Sequence, residues 1–208
     1  MKYVILIPIY NDRESLKLLI ENINNEVKDL NHEISIVVVN DASSQQILDT
    51  YPNIENVQSI ELINMKENRG HARCIASGLK YIFEKKEYDF VIPMDGDGED
   101  RPVEIKNFIE LSKQSGEKSL IGERVKRSEG IIFKTCYQFH KFLTFAFTGQ
   151  SIKFGNFTCL SKSTVKKLLD EKATWNSFSG SLKKIEKELI STPSIRGKRY
   201  FGPSQMSF

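Results

Sequence analysis

Two almost unbroken apolar runs, at residues 3–9 and 34–39, constrain this chain more than any other feature. A strand with one wet face alternates polar and apolar residues. A strand covered on both faces does not, and both-sided cover is what helices give a parallel sheet. Weaker strand patterns follow at 60–64 and 90–94, with a fifth at 119–122. Helical patterns fill the intervals. Asn11-Asp12-Arg13-Glu14 offers an N-cap with a capping-box Glu, and Leu16, Leu19, Ile20 and Ile23 recur behind it at helical spacing. Ser43 with Gln46 makes a second box before a short helix, and Ala72, Ile75, Ala76, Leu79 and Ile82 form a third apolar stripe. Pro102 opens a fourth helix, with Val103, Ile105, Phe108, Ile109 and Leu111 on its stripe. Strand–helix alternation of this kind predicts an α/β fold: a mostly parallel, Rossmann-like central sheet flanked by helices, joined by right-handed crossovers. Ligands in such sheets bind beyond the carboxyl ends of the strands, so the chemistry is expected just after each strand.

The length of 208 residues fits one domain, and 39% hydrophobic with 27% charged residues is a globular balance. Thirty Lys and Arg against 27 Asp and Glu leave a net +3, too small to mark a nucleic-acid-binding surface, and no nucleic-acid partner is expected. Cys74, Cys136 and Cys159 lie far apart with no CxxC, which points to a reducing compartment and away from a structural metal site. Met1 to Pro8 has too few apolar residues and no small-residue cleavage site for a signal peptide, and no stretch approaches the roughly 20 uncharged residues of a membrane span. After residue 125 the texture changes: residues 131–147 hold six aromatics among Lys134, His140 and Lys141. That segment is either a core helix or an amphipathic helix lying in a membrane interface. The basic, glycine-punctuated stretch from Arg196 to Gly202 reads as a loop or an edge segment.

The sharpest motif is Asp95-Gly96-Asp97-Gly98-Glu99-Asp100, after an apolar strand. Four carboxylates in six residues repel one another unless positive charge sits among them. In extended backbone Asp95, Asp97 and Glu99 project to one side, and hard oxygen ligands there suit Mg²⁺ or Mn²⁺. The alternative is a solvated acidic loop neutralised by Arg101. Asp41, just past the second strand, can accept hydrogen bonds from a base or a ribose, or cap a helix. Pro8-Ile9-Tyr10-Asn11 can wall a nucleobase or simply turn. Asn68-Arg69-Gly70-His71 opens the third helix, where Arg69, Arg73 and unpaired N–H groups attract phosphate. Arg124 and Arg199 carry guanidinium forks that match phosphate oxygens. No GxGxxG follows the first strand and no GxxxxGK[ST] occurs, which disfavours dinucleotide dehydrogenases and P-loop NTPases.

Taken in order, Ile7-Pro8-Ile9-Tyr10-Asn11, Val39-Asn40-Asp41-Ala42-Ser43-Ser44, Asn68-Arg69-Gly70 and Met94-Asp95-Gly96-Asp97 resemble the family-two glycosyltransferases of GT-A fold. Gly122-Glu123-Arg124, the segment Gly155 to Lys162, and Arg196 to Ser204 sharpen the resemblance towards the dolichyl- and polyprenyl-phosphate branch. It covers essentially the whole chain, implying one GT-A domain with a nucleotide-sugar half at 1–122 and an acceptor half at 123–208. The resemblance implies an inverting, metal-dependent hexosyltransferase that moves a sugar from a nucleotide-diphosphate donor to a polyprenyl phosphate. Pro8, Tyr10 and Asp41, with Asn11, Asn68, Arg69, Gly70 and Gly96, would bind the donor. Asp95, Asp97 and Glu99 would seat Mg²⁺ or Mn²⁺, with Asp95 beside ribose and diphosphate. Arg124 and Arg199 would grip diphosphate or acceptor phosphate, with Ser204 nearby. The family commonly has an acid at the place of Asn156 and a lysine at that of Gln205. A phosphate acceptor is already ionised near neutral pH and needs positioning rather than a base. An acceptor hydroxyl would need one, and Asp100 or Glu99 would be nearest. Related expectations are a transferase acting on a saccharide or cell-surface polymer, or a non-catalytic nucleotide-sugar-binding subunit. The implied location is cytoplasmic and peripheral at the inner membrane face, with a homodimer allowed. Many relatives continue into membrane helices.

Overall fold

The hydrophobic runs become two adjacent inner strands of a seven-stranded sheet in the computed structural model, which describes residues 1–48, 50–51, 54–125 and 154–202. Strands β1 (Lys2–Ile9), β2 (Glu33–Asn40), β3 (Ser59–Asn64), β4 (Phe90–Pro93), β5 (Leu120–Arg124), β6 (Phe154–Ser161) and β7 (Ile190–Ser194) lie in the order β3-β2-β1-β4-β6-β5-β7. The β3/β2, β2/β1, β1/β4 and β5/β7 pairs are parallel, and β6 runs antiparallel to β4 and β5.

Among the described residues five α-helices cover the two faces: α1 (Arg13–Val27), α2 (His71–Lys85), α3 (Ile105–Ser115), α4 (Lys162–Asp170) and α5 (Phe178–Ile185). Alternation along β1 divides the core. Tyr3, Ile5, Ile7 and Ile9 pack with Leu16, Leu19, Ile20 and Ile23 of α1 and with Ile105, Phe108 and Ile109 of α3. Val4 and Leu6 face the opposite way, onto Ile75, Leu79 and Ile82 of α2, beside Val165 and Leu168 of α4. Each such side chain contributes about 1.5–3 kcal/mol when fully buried. This two-sided burial is the reason the runs show no alternation.

Several expectations need correcting. No helix follows Ser43 among the described residues; Ser43 Oγ instead accepts the Asn11 N–H at 2.9 Å. Asn11 is not the cap of α1. Asp12 holds that position without a side-chain capping bond, while Asn11 Oδ1 accepts from the amides of Ser44 (2.9 Å) and Gln45 (3.3 Å). Pro102 opens a short 3-10 turn before α3, and Val103 and Leu111 are exposed rather than on its buried stripe. The aromatic segment 131–147, Cys136, Ser204 and Gln205 lie outside the described residues. Among the described residues no helix is long and apolar enough to cross a membrane.

Candidate functional site

Parallel registration brings the strand ends together. Ile9 pairs with Asn40, so Tyr10 and Asp41 leave the sheet side by side, and the Asp41 amide donates to Ile9 O at 2.9 Å. The Met94 amide donates to Leu6 O at 3.0 Å, delivering Asp95 next to the end of β1. A cavity of about 530 Å³ opens there. Of the expected donor residues, Pro8, Tyr10, Asp41, Asn68, Gly70, Asp95 and Gly96 line it, as do Asp97, Glu99 and Arg199.

Asp41 is buried and both its oxygens are occupied. Oδ1 accepts the Arg69 amide at 2.7 Å and Oδ2 the Gly70 amide at 2.8 Å. Gly70 has φ of 88°, a left-handed value that glycine adopts without a Cβ penalty, and this turns both amides onto the carboxylate. The N–H groups expected to attract phosphate at Arg69 and Gly70 are therefore already bonded. The Arg69 guanidinium pairs with Glu67 and lies outside the cavity lining. Burial and the neighbouring Asp41 push the Cys74 thiol far up, so it stays protonated where it lines the cavity.

The acidic loop is cross-braced. Asp95 Oδ1 accepts from Asn156 Nδ2 at 3.2 Å, and His71 Nε2 lies 3.1 Å from both Asp95 Oδ1 and Asn156 Nδ2, donating to the carboxylate or accepting from the amide according to its tautomer. The Asp95 amide donates to Asp100 Oδ2 at 2.8 Å. Asp97 Oδ1 accepts the Glu99 amide at 3.0 Å, and its Oδ2 accepts from Arg199 Nη1 at 2.8 Å. Arg199 Nη2 also binds Asp12, and Glu99 binds Arg196. Burial, and then the charges of Asp95 and Glu99, push the Asp97 carboxyl above its usual range, against the pull of the Glu99 amide and Arg199. Asp100, almost wholly buried, is pushed well up by burial and by Asp95.

The segment after β7 lies along this loop. The Gly197 amide donates to Glu99 O at 2.7 Å and the Tyr200 amide to Asp97 O at 2.9 Å. The Tyr200 ring covers Gly98, whose φ is 86° and where a Cβ would come within 2.5 Å of that ring. Arg124 is exposed at the end of β5, beside Gly155, and is not part of the lining.

The three acids read as one cation site thus have separate partners. Among the described residues no group of three or more His, Cys, Asp and Glu is gathered to hold a metal ion. Asp95 and Asp97 alone still fit a hard divalent cation: both are oxygen donors that line the cavity, and after burial the charges of Asp95 and Glu99 also raise the Asp97 carboxyl. Sequence reasoning missed Asp12 and Arg196. Their partners lie 187 and 97 residues away, and no local pattern encodes contacts at that range.

Comparison with known proteins adds the following. The profile described as Glycosyl transferase family 2 matches residues 4–169. An undecaprenyl-phosphate 4-deoxy-4-formamido-L-arabinose transferase from Proteus mirabilis (strain HI4320) is 26% identical over an alignment covering 100% of this chain and 63% of its own. The transferase of that name from Photorhabdus laumondii is also 26% identical, with the same coverage. The chain thus spans 63% of the length of these curated relatives. Among solved structures, S. aureus TarS 1–349 in complex with UDP-GlcNAc superposes with a TM-score of 0.62 at 16% identity, covering 97% of this chain and 60% of that one. A mannosyltransferase from Pyrobaculum calidifontis in complex with GDP-Man and Mn²⁺ gives 0.60 at 17%, covering 93% and 56%. These structural likenesses are likenesses of fold, and the fold is the GT-A arrangement implied by the motifs.

Proposed function

The chain belongs to glycosyl transferase family 2, and from that premise we propose that it transfers a hexose from a nucleotide-diphosphate sugar to a polyprenyl phosphate, with inversion at the anomeric carbon. The observation that carries this reading is the cavity itself, whose lining brings together one pair, Tyr10 and Asp41, and one group, Asp95, Asp97, Arg196 and Arg199. The first pair suits a nucleoside. The second group suits a diphosphate with its counter-charges.

In the reaction an acceptor phosphate oxygen bonds to the anomeric carbon as the bond from that carbon to the diphosphate oxygen breaks, and the nucleoside diphosphate leaves with the electron pair. Asp95 and Asp97 would hold a Mg²⁺ or Mn²⁺ ion, which when bound neutralises charge developing on the departing diphosphate. Arg196 and Arg199 supply guanidinium donors to the phosphates. His71 and Asn156 hold the Asp95 carboxylate in orientation. Glu99 is committed to Arg196, and Asp100 lies behind the wall rather than on it. Neither stands ready as a base, which supports an acceptor that arrives ionised. The two named relatives are undecaprenyl-phosphate transferases, and such a lipid acceptor would bring this protein to a membrane surface.

The test is transfer of labelled sugar from a panel of nucleotide sugars, with Mn²⁺, to undecaprenyl phosphate or to free saccharides. Lipid-linked product is expected, with kcat lowered about 100-fold or more in Asp97→Asn, in line with loss of a charge-stabilising group. Product on saccharides alone would refute the acceptor assignment, and unaltered turnover in Asp97→Asn would refute the site.

A further inference from the structure

Arg199 is held from three directions. Nε donates to Phe201 O at 3.1 Å, Nη1 to Asp97 at 2.8 Å, and Nη2 to Asp12. Asp12 comes from the turn between β1 and α1, not from the acidic loop, and its side chain is only 11% exposed against 18% for Arg199. One guanidinium therefore bridges two carboxylates from two separate loops.

We propose that Asp12 is a positioning residue for Arg199, keeping that guanidinium in the cavity wall when a divalent cation takes Asp97 away from it. The inference rests on the reading of Asp95 and Asp97 as cation ligands. A cation on Asp97 competes for the oxygen that Nη1 now uses, and it repels the guanidinium because both are positive. With Asp97 as its sole anionic partner, Arg199 would be driven out as the cation arrives. Asp12 gives it a second anion outside the acidic loop. The backbone bonds from Gly197 to Glu99 and from Tyr200 to Asp97, with Asn22 Nδ2 donating to the Tyr200 hydroxyl at 2.9 Å, keep the segment within reach. Nη1 is then released towards a phosphate while Nη2 stays anchored. The exchange needs one arginine and two acids on separate loops. Asp12, between β1 and α1, and Asp97, after β4, are such a pair.

The experiment uses the whole chain and the variant Asp12→Asn, which keeps the shape and removes the charge. Amide hydrogen exchange is followed across residues 196–202, with and without Mn²⁺ plus UDP or GDP, and Mn²⁺ binding to the wild type is measured by paramagnetic resonance. Without Mn²⁺ the variant should exchange within about twofold of wild type, because Asp97 still holds Arg199. With Mn²⁺ and nucleotide the wild type should keep its protection while the variant exchanges about tenfold faster, and Asp12→Glu should restore most of it. Equal exchange in both proteins with Mn²⁺ bound overturns the inference and leaves the functional reading standing. Loosening to the same degree with and without Mn²⁺ also overturns it, since Asp12 would then only support the turn. No Mn²⁺ binding to wild type overturns the cation reading and the inference together.

Discussion

Asp41 and Asp97 each follow a parallel strand and each line the same cavity, yet they are held by different means. Asp41 is fixed by two backbone amides, which cannot leave without unfolding the start of α2. Asp97 is held by one amide of its own loop and by the Arg199 side chain, which can rotate away. Burial raises the Asp97 carboxyl despite the guanidinium beside it. The contrast separates a carboxylate that belongs to the scaffold from one whose partner is exchangeable, and it is the exchangeable one that suits a ligand-dependent role.

The largest effect is expected from Asp41→Asn. Asparagine has one acceptor oxygen and directs an NH₂ group at one of the two amides, so a buried N–H loses its partner and another donor crowds it. A loss of about 2–4 kcal/mol follows from the usual cost of a broken charged bond in a buried place. For a domain of this size that lowers the melting temperature by roughly 5–15 °C in calorimetry. A variant that melts like wild type would show that the two amide bonds do not hold the start of α2.

The same contrast explains what the sequence could disclose. β1 and β2 were legible because their burial on both faces writes itself into consecutive residues, and the apolar stripes of α1 and α2 repeat at helical spacing. Positions after each strand located the cavity because parallel register carries all those ends to one edge. What stayed hidden depends on distant partners. β6 enters the sheet antiparallel between β4 and β5, although its residues carry no sign of direction. Asn11, taken as a helix cap, spends its side chain on residues 44 and 45, a loop-to-loop bond without local periodicity. Asp97 and Glu99 were correctly seen to need positive charge, but Arg101, the neighbour in sequence, turns to Glu104 at 3.1 Å, and the charge comes from Arg199 and Arg196.

A smaller effect, and one with a sign, belongs to Asp97. A carboxyl raised in the folded state binds its proton more tightly there than in the unfolded chain. Between the unfolded value, near 4, and the folded one, the native state carries more protons, so stability falls as pH rises through that window and then levels off. Asp97→Asn does not titrate. Its stability relative to wild type should therefore be lowest in acid and grow with pH to a plateau, as read from denaturant midpoints. Saturating Mn²⁺ should stabilise wild type and not the variant, since only the carboxylate gains from the cation. A difference that shrinks as pH rises would show instead that the folded state favours the charged Asp97 carboxylate more than the unfolded chain does.

Asp100→Asn sharpens the comparison from the other side and should do least. Asp100 is as buried as Asp41, but its Oδ2 serves a single amide, that of Asp95. Burial and the charge of Asp95 both favour its protonated form, against Arg124 and Arg196. An asparagine Oδ1 can take the same N–H, and the cost of burying a charge disappears. Stability should thus stay within about 1 kcal/mol of wild type, while Asp100→Ala, which leaves the Asp95 amide without a partner, should lose about 1–3 kcal/mol. If Asp100→Asn instead proves as damaging as Asp41→Asn, the Asp100 charge itself is needed. Arg196 would then be held by the loop through Asp100 as well as through Glu99, and the boundary between scaffold acids and exchangeable acids would run through the loop, between residues 97 and 100, rather than between residues 41 and 95.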